Sequence, residues 1–353
     1  MKVILAFFSI FVCTGALVSF PSHPTLSRRT GDTASTSTQG SDRTRSTVQL
    51  GLCSVVNDRQ GGVWMTGTFF LRSGLMLSDR NGIVRPVLAS RVKSVCAPTF
   101  VTAERGWTID ARSLYRTNDG GLSWTKVEIP GLSEISAVYF VDSQTGWAGG
   151  PTGEIYRTVD GGQTWAKRKA PLNYEVRQIQ FVDSLQGWAV GSLYVSTQKR
   201  MVALFRSADG GENWEQLSNV DADSKGSVFS MFFLDKRNGW GIDGWQSKLI
   251  RTQDGGQSWT IQEFDRNRGW NDVFFIDDLN GWAVGRGIVH TSDGGVTWKY
   301  QVDPEASTIQ LIGITFTDLT HGWAIAHDKI FRTEDGGKVW KPLAEDWKRS
   351  LPN

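Results

Sequence analysis

Six copies of one short motif place an aspartate and an arginine, or in one copy a histidine, at regular intervals along the chain of 353 residues. Carboxylates and guanidinium groups are the side chains that glycoside-cleaving enzymes use for proton transfer and for binding anionic groups. A single active site, however, does not need six copies of its residues. The copies are RTNDGGLSW from Arg116, RTVDGGQTW from Arg157, RSADGGENW from Arg206, RTQDGGQSW from Arg251, HTSDGGVTW from His290 and RTEDGGKVW from Arg332.

Each fixed position of the motif has a structural reason. Asp and Ser/Thr side chains hydrogen-bond to the backbone of turns, and glycine adopts the positive φ that a hairpin reversal needs. Apolar pairs before the motif and the Trp after it are typical of two flanking strands. The motif therefore predicts a strand, a turn and a strand, with a structural role for its aspartates. These are Asp119, Asp160, Asp209, Asp254, Asp293 and Asp335.

A second hairpin signature precedes each motif, as in FVDSQTGWAGG from Phe140 and FIDDLNGWAVG from Phe275. An apolar strand ends at Asp, a few polar residues turn the chain, and Gly-Trp opens the next strand. We expect this first-to-second turn to share one face of the fold with the third-to-fourth turn of the six-copy motif. The Gly-Trp tryptophans are Trp107, Trp147, Trp188, Trp240, Trp282 and Trp323, with Trp64 as a degenerate first member.

Two hairpins at a spacing of about 43 residues are typical of four-stranded propeller blades. A blade buries little by itself, whereas a ring of blades covers both faces of every sheet. The sequence therefore predicts an all-β fold, a single seven-bladed β-propeller of four-stranded antiparallel blades. Its third-to-fourth turns are formed by the six-copy motif, which is known as the Asp box, so these are Asp-box turns. Six blades with a separate cap are the alternative, because LMLSDRNGIV at 75–84 has neither the motif spacing nor the closing Trp.

The termini differ from the repeats in composition. Residues 1–19 carry one Lys and an apolar run and predict a secretory signal peptide, with an uncleaved anchor as the alternative. Residues 20–47 are rich in Ser, Thr and Arg and predict a disordered linker. The propeller is expected over 48–347, followed by a tail at 348–353. We therefore expect an exported protein, periplasmic or extracellular, with membrane anchoring through the N-terminus as an open alternative.

The charge balance and the remaining reactive residues narrow the function classes. The formal net charge is +2, from 38 basic and 36 acidic residues, and gives no electrostatic reason to expect nucleic-acid binding. The four histidines show no metal-ligand spacing, and no Gly-rich phosphate loop opens a helix. We predict no metal, no cofactor and no catalytic residue. An inter-blade disulfide between Cys53 and Cys96 is left open.

The Asp box, as the RTxDGGxxW motif is known, also occurs in sialidases and other propellers. Its combination with GWAVG-type hairpins over about residues 50–345 resembles the photosystem II stability/assembly factor-like family of Asp-box (BNR-type) β-propellers. The resemblance implies a scaffold that holds an assembling membrane complex from the lumenal or periplasmic side, without known catalysis. It does not identify a partner for this chain.

The arginine that begins most motifs has two open interpretations. It pairs with a repeat carboxylate such as Asp142 or Asp183 or stays solvated, or the ring of arginines attracts an acidic partner segment. The residues in question are Arg116, Arg157, Arg206, Arg251 and Arg332, with His290 as the exception.

Departures from the repeat cluster on the face that carries the second-to-third turns and the inter-blade links. LYVSTQKRMVA at 193–203 is an insertion, and Trp245 and Trp270 belong to neither repeat. Because Trp and Arg anchor many protein interfaces, we predict a partner-binding patch. It comprises Lys199, Arg200, Trp245, Arg266, Arg268 and Trp270. In the alternative interpretation, Trp245 and Trp270 only cap adjacent blades.

These observations predict an exported, monomeric, non-catalytic propeller that acts as a protein-binding or complex-assembly scaffold. The expected partner is a membrane or periplasmic complex. A sialidase-like glycoside hydrolase is the enzymatic alternative, because a pair of catalytic carboxylates follows no local spacing rule. A carbohydrate-binding module is the third candidate, because exposed Trp also binds sugars, and glycan binding would distinguish it from a scaffold.

Overall fold

The computed structural model describes residues 50–57, 63–69, 72–78, 84–87, 96–110, 112–168, 174–196, 199–217, 228–243, 248–262, 269–303 and 309–343. The regular elements in these ranges are twenty-eight strands. They form seven four-stranded antiparallel sheets, each built from four strands in chain order. We number these sheets blade 1 to blade 7 along the chain.

The first three blades cover residues 50 to 168. Blade 1 contains β1 (Leu50–Asn57), β2 (Val63–Phe69), β3 (Arg72–Ser78) and β4 (Val84–Val87). Blade 2 contains β5 (Cys96–Phe100), β6 (Gly106–Asp110), β7 (Ser113–Thr117) and β8 (Thr125–Val127). Blade 3 contains β9 (Ala137–Phe140), β10 (Gly146–Gly149), β11 (Ile155–Thr158) and β12 (Ala166–Arg168).

The last four blades follow the same order. Blade 4 contains β13 (Glu175–Phe181), β14 (Gly187–Ser196), β15 (Lys199–Ser207) and β16 (Glu215–Gln216). Blade 5 contains β17 (Val228–Phe233), β18 (Gly239–Asp243), β19 (Lys248–Thr252) and β20 (Thr260–Gln262). Blade 6 contains β21 (Asp272–Phe275), β22 (Gly281–Val284), β23 (Ile288–Thr291) and β24 (Lys299–Val302). Blade 7 contains β25 (Leu311–Phe316), β26 (Gly322–Ala326), β27 (Ile330–Thr333) and β28 (Lys341–Pro342).

The blades are joined into a ring by packing between their first two strands. β5 packs against β1 and β9, and β21 packs against β17 and β25. β1 also packs against β25 and β26, so the last blade meets the first. Each sheet is built from consecutive strands, and no strand is exchanged between blades 1 and 7. The prediction of an all-β propeller of four-stranded blades is confirmed.

The interface between successive blades is an aromatic contact that repeats around the ring. The first strand of a blade ends in a Phe whose ring stacks on the Gly-Trp tryptophan of the preceding blade. In blade 5, the ring centroids of Phe233 and Trp188 are 3.7 Å apart with an interplanar angle of 3°. The same stack is formed by Trp64–Phe100, Trp107–Phe140, Trp147–Phe181, Trp240–Phe275 and Trp282–Phe316.

The same Phe also contacts the Asp-box tryptophan of its own blade, edge to face. For Phe233 and Trp259 the centroids are 6.0 Å apart at 75°. Edge-to-face and offset stacked pairs are the favoured aromatic geometries, and each adds to the stabilisation from buried area. One Phe per blade therefore joins both tryptophans of the repeat into a single core contact.

The glycine before each Gly-Trp tryptophan is explained by this Phe. Gly239 pairs with Phe233 across β17 and β18. A Cβ added to Gly239 would lie 2.6 Å from two atoms of the Phe233 ring. The ring is held on its other side by Trp188, so it has no space to move away. Glycine is required here for close packing against an aromatic ring.

The junction between blades 7 and 1 lacks this arrangement. Trp323 of blade 7 is buried. In blade 1, however, Asn57 and Val63 form the cross-strand pair that is Phe and Gly in the other six blades. This junction is therefore built without the stacked Phe ring.

We expect the substitution Gly239→Ala to lower the free energy of unfolding by about 1 to 3 kcal/mol, because the new methyl group overpacks the space taken by the Phe233 ring. Urea denaturation measures this change. The double variant Gly239→Ala, Phe233→Leu serves as the control: its loss should be smaller than the sum of the two single losses, because the ring that clashes is absent. Additive losses would show that Phe233 does not set the requirement for glycine.

Candidate functional site

The Asp box is a turn whose polar groups satisfy one another. In blade 3, the Thr158 hydroxyl donates a hydrogen bond to Asp160 Oδ1 at 2.7 Å, and the Gly162 N–H donates to Thr158 Oγ1 at 2.9 Å. Asp160 also accepts the Thr164 N–H at 2.9 Å and the Thr164 hydroxyl at 2.5 Å. Trp165 donates its indole N–H to the Gly162 carbonyl at 3.2 Å. Equivalent bonds hold Asp119, Asp209, Asp254 and Asp293.

The two turns of each blade are bonded to each other on one face of the ring. Gly161 and Gly162 have φ values of 73° and 87°, which glycine adopts without strain. The Gly161 N–H donates to the carbonyl of Gln144, in the first-to-second turn, at 2.8 Å. The predicted sharing of one face is confirmed, and we call this side of the ring, with its first-to-second and third-to-fourth turns, the Asp-box face.

The aspartates of the first-to-second turns have the same kind of role. Asp142 Oδ1 accepts the N–H groups of Gln144 and Thr145, both at 2.7 Å. Corresponding bonds are made by Asp183, Asp235, Asp277 and Asp318. Both sets of repeat carboxylates therefore hold turns together, which is the structural role that the motif predicts.

These hydrogen bonds also set the protonation of the carboxylates. The Thr164 hydroxyl, followed by the Thr164 backbone N–H, lowers the pKa of Asp160 to about 2. The Ser123 hydroxyl likewise lowers the pKa of Asp119. A carboxylate that stays ionised and whose oxygens already accept several bonds is poorly suited to donate a proton to a leaving group.

The repeat arginines lie between blades, a position that neither sequence-based interpretation anticipated. Arg157 pairs across the sheet with Trp147, and its guanidinium lies 5.7 Å from the Trp147 ring centroid. It donates to the carbonyl of Ser184 in blade 4 at 3.5 Å and lies 4.0 Å from Glu212 of the blade 4 Asp box. Arg116 similarly donates to the Gly161 carbonyl in blade 3 at 3.3 Å.

The expected pairing of these arginines with the first-to-second turn carboxylates is therefore wrong for Arg157, and its side chain is only 17% exposed. The reason is geometric: the arginine stands beside a tryptophan on a strand, so its planar group stacks on the ring and extends toward the next blade. Arg157 therefore stabilises the repeat structure, through its contacts with the next blade.

The Asp-box turn also accepts a hydrogen bond from the preceding blade. The indole N–H of Trp147 donates to the Gly210 carbonyl at 2.8 Å, and that of Trp188 donates to the Gly255 carbonyl at 2.9 Å. Trp240 and Trp282 make the same bond to Gly294 and Gly336. The Asp box therefore forms a turn within its own blade and also hydrogen-bonds to the preceding blade. This bond is not among the predictions from the sequence, although the regular order of Gly-Trp before Asp box along the chain could have indicated it.

Two buried glutamines join blades 4 and 5 and were not singled out from the sequence. Gln178 accepts the Met231 N–H at 3.2 Å and donates to the Met231 carbonyl at 2.6 Å. Gln180 makes the same pair of bonds with Phe233, at 2.8 and 2.6 Å. Each side-chain amide thereby makes the pair of backbone hydrogen bonds that a residue of a neighbouring strand would make. The signal in the sequence was EVRQIQF at 175–181, where polar residues occupy positions of a buried strand.

The structure places only part of the predicted partner-binding patch. β14 and β15 have ten and nine residues, against four each in β10 and β11, so the insertion extends this hairpin. Lys199 and Arg200 begin β15, opposite Ser196 and Tyr194. Trp245, Arg266 and Arg268 lie outside the described residues, and their convergence with Lys199 and Arg200 stays a prediction.

Trp270 is buried, so it is not the exposed interface anchor that the sequence predicts. Its side chain is 2% exposed and belongs to the core cluster that contains Trp240, Ile242 and Val273. The predicted interface role of Trp270 is therefore wrong: it packs between blades 5 and 6, which agrees with the capping alternative. Large aromatic side chains bury well wherever a core is available, and sequence does not reveal which loop tryptophan finds one.

The remaining predictions about reactive groups rest on backbone placement. Cys53 and Cys96 lie in β1 and β5, which pack against each other, and a disulfide between them stays a prediction. Among the described residues, no group of three or more His, Cys, Asp or Glu side chains is placed to hold a metal ion. Within the same ranges no helix has the length and apolar character of a membrane span.

We expect Asp160→Asn to lower the free energy of unfolding by about 1 to 2 kcal/mol at neutral pH, because the charge-assisted bonds of the turn are weakened. The pKa of about 2 in the folded protein lies below the ordinary value of about 3.9. The ionised carboxylate therefore stabilises the fold above about pH 4, and this contribution is lost as the pH falls through about 2. The gap in urea midpoint between the wild type and Asp160→Asn should shrink across that range.

Asp278→Asn is the matched control for this pH series, since it removes an exposed charge from a turn on the same face. Its urea midpoint should follow the wild type at every pH. A stability gap for Asp160→Asn that stays constant down to pH 2 would contradict the role given to the ionised Asp box.

Comparisons with known proteins agree with this geometry. The family model described as photosynthesis system II assembly factor YCF48 matches residues 122–219. A curated relative, the photosystem II assembly lipoprotein Ycf48 of Prochlorococcus marinus (strain NATL2A), is 40% identical over 62 residues, which is 16% of this chain. The match spans only 18% of the length of that relative.

Solved structures share the fold over most of the chain. YCF48 bound to a D1 peptide has a TM-score of 0.63 at 19% identity and covers 82% of this chain and 94% of its own. YCF48 from Cyanidioschyzon merolae has a TM-score of 0.63 at 18% identity, with coverages of 81% and 96%. A streptogramin B lyase has a TM-score of 0.62 at 14% identity, with coverages of 84% and 95%. At these identities the structural likeness shows the fold alone. Together with the family model, it confirms the resemblance of this chain to the photosystem II assembly factor-like β-propellers.

Proposed function

We propose that this chain is an exported, non-catalytic β-propeller that binds another protein and acts as an assembly scaffold, similar in type to photosystem II assembly factors. The sequence match over residues 122–219 carries the proposal, because it is a likeness of sequence in addition to the shared fold. The related YCF48 was solved with a bound D1 peptide, which is a polypeptide ligand of that protein.

The structural contacts of the repeated aspartates and arginines support a non-catalytic function. The repeat carboxylates accept hydrogen bonds within their own turns, as Asp160 and Asp142 do. The repeat arginines stack on tryptophans between blades, as Arg157 does. A sialidase-like site needs arginines and acids that converge on a substrate, and these side chains are already engaged by the fold. The streptogramin B lyase shares the fold with this chain at 14% identity, which is no evidence for lyase activity in this chain.

We place the partner-binding site on the face opposite the Asp boxes, in the patch predicted from Lys199, Arg200, Trp245, Arg266 and Arg268. The long β14–β15 hairpin supports this position, because Lys199 and Arg200 stand at its turn. Trp270 is left out of this site, because its side chain is buried in the core between blades 5 and 6. Cationic side chains beside an aromatic anchor are suited to a protein partner with acidic groups at its surface.

We further propose that the chain works outside the cytoplasm, as a monomer, close to a membrane. The predicted signal at residues 1–19 supports export, and the curated Ycf48 relative is a lipoprotein. Periplasmic or lumenal placement would bring the propeller next to an assembling membrane complex.

The test is affinity capture with the full chain, after light crosslinking, from the membrane and periplasmic fractions of its native cells. We expect one defined polypeptide, and the charge-reversal variant Lys199→Glu, Arg200→Glu should reduce its recovery at least about tenfold, because reversed charge repels the partner. The matched control is Arg286→Glu, Lys329→Glu, which reverses two exposed cations in second-to-third turns of blades 6 and 7 and should leave recovery unchanged.

Two results would count against the proposal. Equal recovery by both variants would place the binding site elsewhere on the propeller. Recovery of glycans without any polypeptide would reject the scaffold and favour the carbohydrate-binding alternative. Trp270→Ala is not a suitable probe, because emptying a buried Trp site costs about 3 to 5 kcal/mol and confounds binding with folding.

A further inference from the structure

Exposed apolar side chains concentrate on the Asp-box face. In the described part of the chain, nine large apolar side chains are exposed, and seven of them lie in turns of this face. Blades 6 and 7 together contribute four, more than any other pair of neighbouring blades. They are Leu279, Val296, Leu319 and Val339, each at least 50% exposed.

These four residues are attached to a rigid frame. The Gly294 N–H donates to the Leu279 carbonyl at 2.8 Å, which joins the two turns of blade 6. The Gly336 N–H donates to the Thr320 carbonyl at 2.9 Å, which joins those of blade 7. Trp282 of blade 6 then donates to the Gly336 carbonyl at 3.3 Å and connects the two blades. The apolar side chains are thus held on neighbouring, mutually bonded turns.

The turns themselves do not require apolar residues at these positions. The position of Val296, directly after the two glycines of the Asp box, is Gln163 in blade 3 and Glu212 in blade 4. The position of Leu279 is Arg237 in blade 5. Since the same hydrogen bonds form with polar residues there, the fold gives no reason for the exposed Val and Leu.

Val339 also lacks a hydrogen bond that the other Asp boxes make, from the side chain at this position to the aspartate of the box. At this position, Thr164 and Thr297 each donate a hydroxyl to the Asp-box aspartate at 2.5 Å. Ser123, Ser258 and Asn213 donate in the same way. Val339 has no donor on its side chain and is 52% exposed, so it gains no burial in exchange.

The surroundings of these side chains are acidic, although the whole chain has a formal charge of +2. Arg332 is paired with Glu334 at 2.8 Å, and His321 lies beside Asp318. Arg251 is attracted to Asp293, and Lys338 is a further cation on these turns. Two further cations, Lys299 and Lys341, follow the boxes at the start of β24 and β28. Within the turns and boxes themselves, acids outnumber the cations Arg332 and Lys338. These acids are Asp277, Asp278, Asp293, Asp318, Glu334 and Asp335. A negative surface repels anionic lipid and nucleic acid and attracts cationic groups.

We propose that the Asp-box face of blades 6 and 7 is a docking surface for a basic, amphipathic polypeptide segment. Its apolar side chains would pack on Leu279, Val296, Leu319 and Val339, and its Lys or Arg side chains would meet the acidic turns around them. The inference rests on the proposed protein-binding function and adds a second site on the opposite face, with chemistry opposite to that of the cationic patch. A scaffold with both sites can hold two different partners at once.

The experiment measures the binding of synthetic peptides of equal length to the full chain by fluorescence anisotropy. One peptide is built from Lys and Leu with helical amphipathic spacing, the second replaces Lys with Glu, and the third replaces Leu with Ser. We expect binding of the Lys/Leu peptide only. The variant Leu279→Ser, Val296→Ser, Leu319→Ser, Val339→Thr should weaken it at least about tenfold, as expected when the apolar centre of an interface is removed.

The matched control is Ile261→Ser, Tyr300→Ser, which removes two exposed apolar side chains from the outer strands β20 and β24. It should bind the Lys/Leu peptide like the wild type. Equal affinity of the fourfold variant and this control would overturn the docking surface. Equal binding of the Lys/Ser peptide would also overturn it, because charge alone would then account for the binding.

Val339→Thr alone separates a binding role from a structural one. The new hydroxyl can restore the missing bond to Asp335, so the urea midpoint should rise while affinity for the Lys/Leu peptide falls. A rise in midpoint with unchanged affinity would show that Val339 does not contact the peptide. Failure of this docking surface leaves the charge-reversal test at Lys199 and Arg200 intact, and the two proposals therefore fail independently.

Discussion

The propeller depends on one aromatic contact, in which the Phe at the end of each first strand lies between its own blade and the preceding one. Phe233 stacks on Trp188, meets the edge of Trp259 and covers Gly239. Because no strand passes between blades, these side-chain contacts carry much of the cohesion of the ring. Six of the seven junctions use this contact. The junction between blades 7 and 1 closes the ring with Asn57 and Val63 in its place, which makes it the structurally distinct interface of the molecule.

The Asp box adds a polar layer to the same junctions. Its aspartate and threonine shape the turn, its glycine carbonyl accepts a bond from the preceding tryptophan, and the repeat arginine extends across the boundary. The repeated aspartates and arginines, which first suggest catalysis, therefore have structural roles in the turns and between the blades. The two sites that we propose therefore lie where the repeat is broken: the extended β14–β15 hairpin on one face, and the exposed apolar turns of blades 6 and 7 on the other. The two proposed sites differ in charge, with Lys199 and Arg200 at one and the acidic turns of blades 6 and 7 at the other, which would suit a scaffold for two partners.

The hairpins, the turn role of the aspartates and the all-β propeller could all be predicted from sequence, because each depends on neighbours within a few residues and repeats many times. Site residues were harder to predict. Trp270 breaks the repeat and so resembles a surface anchor in the sequence, yet it packs beside Trp240 in the core. Lys199 and Arg200 were correctly placed in an insertion. The exposed Val339 became informative only when the bonds made at the same position in other blades were compared with it.

The sequence by itself therefore determined the repeating unit: two hairpins per blade, with glycines where the backbone must turn and aromatic residues where it must pack. Only the tertiary structure decided how the units are joined. Trp188 and the Gly255 carbonyl that it bonds are 67 residues apart, and Gln180 and Phe233 are 53 residues apart. Such contacts leave no local periodicity, because they depend on the rotation between neighbouring sheets and on which side chains that rotation brings together. The same rotation decides that Arg157 stacks on Trp147 and reaches the next blade, a position that residue type and spacing alone do not specify.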